Sequence, residues 1–290
     1  MVLDYLAWLT DLSVGVSIVA GMRNLRLGIT VVAISVLSLV VMRLVPTSLF
    51  ENTRFANSIA IDFTFGIIFY AATYFLGLQT LHYFRLPTFG FRSMLALIFA
   101  SFFVVAEITG SDNIHLSTQD TVLGIIFLLG TGFSEEMFSR AFTFGVLYKL
   151  GRAKAIAFSS LLFGLMHLNL YVGSEWNPWR AYLHVVDAAS FGVFICALII
   201  VTRSVWVGVI FHALVDWSLV FDKHSAPLPK AEQWHPAFWE GLRMPLSNVV
   251  VYIGLAALML QIDRGVIPAW VHRVAIRWKL VEPNFVGLTH

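Results

Sequence analysis

Two carboxylates and a guanidinium stand close together in Ser134-Glu135-Glu136-Met137-Phe138-Ser139-Arg140, inside an otherwise apolar stretch. Further along, Phe163-Gly164-Leu165-Met166-His167 carries an imidazole, and Phe211-His212-Ala213-Leu214-Val215-Asp216 an imidazole and a carboxylate. On a helix advancing about 100° per residue, Glu136 and Arg140 lie about 40° apart and one turn along, so they can pair. Glu135 lies about 140° from Arg140 by the same count and is left to face something else. His212 and Asp216 share a helical face. A free carboxylate beside two imidazoles can activate a water molecule or hold a metal ion.

The elements that must carry these groups are membrane spans. Of the 290 residues, 58% are apolar and 12% charged, roughly half the charge usual in soluble domains. Mean hydropathy is +0.80. Such a chain cannot cover its apolar surface in water, which argues against a soluble globule, a disordered chain or a nucleic-acid-binding domain. At about 20 residues per span, the apolar content of about 168 residues corresponds to roughly eight spans. The net charge of +2 is too small to imply an anionic partner by itself, and the single Cys196 reads as a packed small hydrophobe.

Apolar windows fall at Leu27–Val45, Ile59–Leu78, Ser93–Thr109, Thr121–Tyr148, Ala153–Val172, Ala181–Val201, Ser204–Phe221 and Leu246–Ile262. They predict an all-α polytopic membrane protein: one eight-helix domain over 27–262, core motifs at 130–217, with flanking segments 1–26 and 263–290. In the first segment Asp4, Ala7 and Asp11 share a stripe, which fits an interfacial amphipathic helix better than a span or a signal peptide. The last mixes Trp270, Val274, Ile276 and Trp278 with Arg273, Arg277 and Lys279, and suits an anionic leaflet. Loop parity puts 12 of the 19 basic residues on the side of both termini, 6 on the other and Arg140 within a span. Positive-inside bias then places both termini in the cytoplasm. The longest loop, Asp222 to Pro245, reads as an interfacial cover on the outer side.

A charge at the bilayer centre costs on the order of 3 kcal/mol, so each needs a reason. Glu135 and His167 are each 14 residues from the cytoplasmic ends of their spans, about 21 Å. His212 and Asp216 lie 8 and 12 residues past Ser204, about 12 and 18 Å deep. All four can meet near the middle of the membrane.

Glu-Glu-x-x-x-Arg, Phe-x-x-x-His and His-x-x-x-Asp, in this order on hydrophobic helices, resemble the CAAX protease and bacteriocin-processing family of intramembrane endopeptidases, which includes the Ras-converting CAAX endopeptidase. The likeness covers about Gly130 to Trp217. It implies Glu135 as the water-activating glutamate and His167 as the catalytic histidine. His212 and Asp216 become the pair that stabilises the oxyanion, and Glu136 with Arg140 a supporting ion pair. Asp216 stands where the CAAX endopeptidases have Asn, although the wider pattern allows either. An ionised Asp cannot donate to an oxyanion, so Asp216 stays protonated, orients His212 or contacts a metal. The substitution also weakens the implication of a prenylated substrate.

Other hydrolytic signatures are missing: no His-Glu-x-x-His, no Gly-x-Gly-Asp, and no Gly-x-Ser-x-Gly, because Glu136 occupies its last position after Gly132-Phe133-Ser134. Asp62, His184, Asp187 and Glu107 read as structural or interfacial, and His115, His224 and His235 as solvated loop residues. The expected function is endoproteolysis of a membrane-associated protein or peptide by direct attack of water, with the lipid bilayer as surroundings. The alternatives are a proton-coupled transporter and a non-catalytic scaffold that keeps the motif. No cofactor is expected. The alternative is zinc held by His167, His212 and Asp216, with Glu135 as base.

Overall fold

The computed structural model describes residues 55–168, 178–223 and 238–264, with isolated helical positions at Thr30, Ala33, Ile34 and Arg277. The fold is all-α. Among the described residues the only strand-like pairing is an isolated bridge between Asn113 and Asp222. Helix α1 spans Ala56–Phe75 and α2 spans Phe91–Gly110. Helix α3 runs from Thr118 to Leu150 and includes a π-helical segment at Met137–Thr143. Then follow α4 (Arg152–Met166), α5 (Pro178–Thr202), α6 (Val205–Val215), the single turn α7 (Ser218–Phe221) and α8 (Phe238–Asp263).

Five of these are long and apolar enough to cross a membrane: Ala56–Phe75, Phe91–Gly110, Thr118–Leu150, Trp179–Thr202 and Leu246–Asp263. They correspond to the second, third, fourth, sixth and eighth expected spans, and the chain is that of an integral membrane protein. The fifth expected span is a helix of 15 residues that stops at Met166 instead of Val172. The seventh breaks at Asp216, after 11 residues of helix, because Asp216 and Trp217 turn the chain before α7. The expected first span lies almost wholly outside the described residues, as do segment 1–26, the stretch 224–237 and nearly all of the tail.

Helix boundaries follow local chemistry. Ser117 caps α3, its hydroxyl accepting from the Asp120 amide at 3.1 Å, and Asp120 adds a favourable charge to the first turn. Between α3 and α4 the chain reverses at Gly151, whose φ of 96° a side chain would strain. Helix α5 is the centre of the bundle: 72% of its apolar window is buried, against 22% in α1 and 17% in α2 and α8. It packs on α4 and α8 and buries Phe194, Ile195 and Leu198 completely. The outer helices instead expose Phe102, Val105, Ile210 and Val250, as lipid-facing surfaces do.

The two ends of the bundle are tied differently. At one end the Asp263 carboxylate accepts from Arg152 at 2.9 Å and from Arg203 at 3.0 Å. Its backbone carbonyl accepts from Arg92 at 2.9 Å. These are residues that loop parity assigns to one side. At the opposite end Ile114 donates to the Phe221 carbonyl at 2.8 Å, and Lys223 pairs with Asp112 at 2.8 Å.

Candidate active site

Helices α3 and α6 approach each other at Gly132. A Cβ there would lie 2.6 Å from the Val209 carbonyl oxygen and 3.5 Å from the His212 Cβ. Since backbone cannot yield as a flexible side chain can, only glycine permits this contact. It sets Glu135, one turn on, against His212. Gly164 does the same between α4 and α5, with the Val185 carbonyl 2.4 Å from where a Cβ would sit. Gly132→Ala is expected to lower stability by about 1–3 kcal/mol through overpacking and to reduce activity with it. Gly254→Ala, at a position with open space, is expected to be silent. Thermal unfolding of the two purified variants checks the difference.

His212 is the hub of the cluster. Its Nδ1 donates to Glu136 Oε1 at 2.8 Å, while its Nε2 lies 3.5 Å from Glu135 Oε2 and 3.6 Å from Asp216 Oδ2. Both ring nitrogens therefore face carboxylate oxygens, an arrangement that favours donation from the ring, through a hydrogen bond at Nδ1 and at longer range from Nε2. Glu136 Oε2 lies 3.3 Å from Arg140 Nε, so one carboxylate bridges the arginine and the imidazole. Arg140 and Glu136 pair as helical spacing predicts. The second bond of Glu136, to His212, is a finding that spacing along one helix cannot contain.

Burial separates the two glutamates. The Glu136 side chain is fully buried, whereas Glu135 and Asp216 keep 28% and 25% of theirs exposed. Glu135 and Asp216 thus line the accessible side of the cluster, and Glu136 and Arg140 sit behind it. The Glu135 Oε2 atom accepts no hydrogen bond among the described residues.

His167 joins through aromatic rings. Its Nδ1 donates to the Phe163 carbonyl at 2.9 Å, and since a carbonyl can only accept, Nε2 carries the lone pair when the ring is neutral. The Phe163 ring meets the His167 ring edge-to-face at 4.9 Å and the His212 ring at 5.9 Å. It also lies under Arg140, whose guanidinium carbon is 4.2 Å from the ring centroid. Phe191 closes the other side of His212 at 5.2 Å. One histidine is thereby arranged to accept a proton and the other to donate hydrogen bonds.

Sequence reasoning missed several neighbours. His184 lies edge-to-face on His167 at 4.9 Å, closer to the cluster than a structural reading expects. Asp62 accepts from the Thr131 hydroxyl at 3.1 Å, one turn before Glu135. Glu107 Oε1 accepts from the Ser218 amide at 3.2 Å, at the start of α7 and near Asp216 in the chain. His115 is exposed, as expected, while His224 and His235 lie outside the described residues. Among the described residues no three His, Cys, Asp or Glu side chains converge as a metal-binding set.

Residues 117–218 match the family model described as "Type II CAAX prenyl endopeptidase Rce1-like". That stretch runs from the cap of α3 to the first residue of α7 and holds all six motif residues. The family that the model matches is the one that the three motifs resemble. No curated protein matches the chain.

Proposed function

We propose, from the premise that residues 117–218 are a Rce1-like CAAX endopeptidase core, that this chain hydrolyses a peptide bond near the C-terminal or membrane-embedded part of a protein or peptide substrate. The observation that carries the reading is the 3.5 Å approach of Oε2 of the partly exposed Glu135 side chain to His212 inside an apolar bundle. In the reaction, water attacks the scissile carbonyl and Glu135 takes its proton. His167, with Nε2 free, positions the water, then receives the proton held by Glu135 and passes it to the leaving amine. His212, a donor held from behind by Glu136, stabilises the oxyanion. No Ser or Cys accompanies the cluster in a nucleophile motif, so no covalent intermediate forms.

Asp216 serves by holding His212 Nε2 toward the reacting carbonyl rather than by donating itself. Asp216→Asn keeps the oxygen acceptor and adds a donor, so it is expected to retain activity within about tenfold, whereas Asp216→Ala loses more, in line with general acid–base contributions of about 10²-fold or greater. Turnover of a fluorogenic membrane peptide by both variants checks the order. The mechanism uses no metal. Elemental analysis of active protein is expected to give no stoichiometric zinc, and prolonged chelation to leave activity intact. One equivalent of zinc, with activity lost on stripping and restored on re-addition, makes His167, His212 and Asp216 ligands instead.

The function itself is tested by comparing protein termini in membranes that contain the active chain or its Glu135→Gln variant. New termini in or beside membrane segments, present only with the active chain, are the expected result. Their absence favours the scaffold, and uptake coupled to a proton gradient favours the transporter.

A further inference from the structure

We propose that the arginine cluster around Asp263 binds the phosphate group of an anionic phospholipid. Two guanidiniums meet there on a single carboxylate, and two more bond to the backbone beside it. Arg152 and Arg203 reach its two oxygens at 2.9 and 3.0 Å, and Arg92 donates to the Asp263 backbone carbonyl at 2.9 Å. Arg85 donates to the Arg203 carbonyl at 3.4 Å. Four positive charges against one negative leave a local excess of three. Each guanidinium has five N–H donors, and the contacts named here occupy only one apiece. The Arg203 and Arg152 side chains keep 36% and 28% of their surface exposed, and Arg85 and Arg92 are exposed outright. Partly exposed guanidinium forks of this kind have the geometry that suits phosphate oxygens.

The backbone around the cluster is held in place. Arg203 has φ 58°, a left-handed conformation that side chains rarely adopt. The loop before α2 is pinned to it: Thr88 donates to the Thr202 carbonyl at 3.1 Å, and the Ser204 hydroxyl donates to the Arg85 carbonyl at 2.6 Å. Arg85 is thereby fixed beside Arg203.

The second half of the argument is apolar. Leu86 and Phe89, in that same pinned loop, are 82% and 80% exposed. Large hydrophobes so open, flanked by Arg85 and Arg92, are out of place against water. The cluster also lies where α5 and α8 end and where α2 and α4 begin, which is the level of the headgroups. Phosphate-binding arginines next to exposed aliphatic and aromatic side chains at that level match an amphiphile, with its phosphate on the guanidiniums and its chain along Leu86 and Phe89. Free phosphate satisfies only the first of these features.

The test uses the full-length protein in neutral detergent, with thermal unfolding followed as phosphatidylglycerol, phosphatidylcholine or inorganic phosphate is added. Phosphatidylglycerol is expected to raise the midpoint saturably, and the other two to leave it nearly unchanged. In Arg85→Gln/Arg92→Gln, whose lost bonds go only to backbone carbonyls, the lipid concentration needed is expected to rise about fivefold per arginine removed. Leu86→Ser/Phe89→Ser keeps every arginine, so it remains informative if the first variant folds poorly, and it is expected to weaken the response to phosphatidylglycerol. The proposal is overturned if phosphatidylcholine or inorganic phosphate stabilises equally, or if both variants respond like the unsubstituted protein.

Discussion

Replacing Glu135 by Gln is expected to cut turnover at least about 10²-fold, the usual contribution of a general base, while folded yield stays near that of the unsubstituted protein. Two observations lie behind the separation of the effects. Glu135 Oε2 accepts no hydrogen bond among the described residues, so removal of its charge breaks no bond there. Its buried partner His212 also still faces the Glu136 and Asp216 carboxylates, so the lost charge strands no buried group. His212 keeps its hydrogen bond to Glu136 in this variant. Activity assays beside size-exclusion profiles measure both outcomes on one preparation. A variant that loses yield and activity in proportion makes Glu135 a structural residue and removes the base from the mechanism.

How much of this was legible in the sequence depends on whether a contact lies within one helix or between two. The Glu136–Arg140 pair follows from helical spacing alone, and spans two, three, four, six and eight follow from runs of apolar residues long enough to cross a bilayer. The convergence of Glu135, His212 and Asp216 was inferable from matched depth. What hid was interhelical or irregular. The π segment Met137–Thr143 is buried from end to end and contains neither Pro nor Gly, so no residue type announces it. It packs Phe138 and Phe142 against Phe69 of α1, contacts set by the neighbouring helix and not by local propensity. The break at Asp216 is similar: apolar residues continue on both sides of it, and the turn is fixed by Glu107 and Asn113, which come from distant sequence. One usable signal was passed over. Gly132 and Gly164 each stand three residues before a site residue, a spacing that marks close helix contacts.

The largest stability effect is expected at Glu136, where the sequence supports an ion pair and the fold adds a third member. Arg140 and Glu136 keep 1% and 0% of their side chains exposed, so neither charge has water to fall back on. Their 3.3 Å contact is coulombic rather than hydrogen-bonded, since the Arg140 Nε and Glu136 Oε2 atoms make no oriented bond. Glu136→Gln removes the charge that balances Arg140 yet keeps an oxygen that can accept from His212 Nδ1. The variant should therefore lose about 3–5 kcal/mol of stability, the cost of breaking a buried pair from one side, with the surviving folded protein still active. Removing both charges should behave differently. Glu136→Gln/Arg140→Met gives up the stacking of the guanidinium on Phe163 but leaves no uncompensated charge, and is expected to recover most of the loss. Unfolding midpoints for the two single variants and the double one form a cycle that reads the coupling directly. Simple additivity would mean that Arg140 finds another counter-charge when Glu136 is gone, and the glutamate would then be kept for His212 alone.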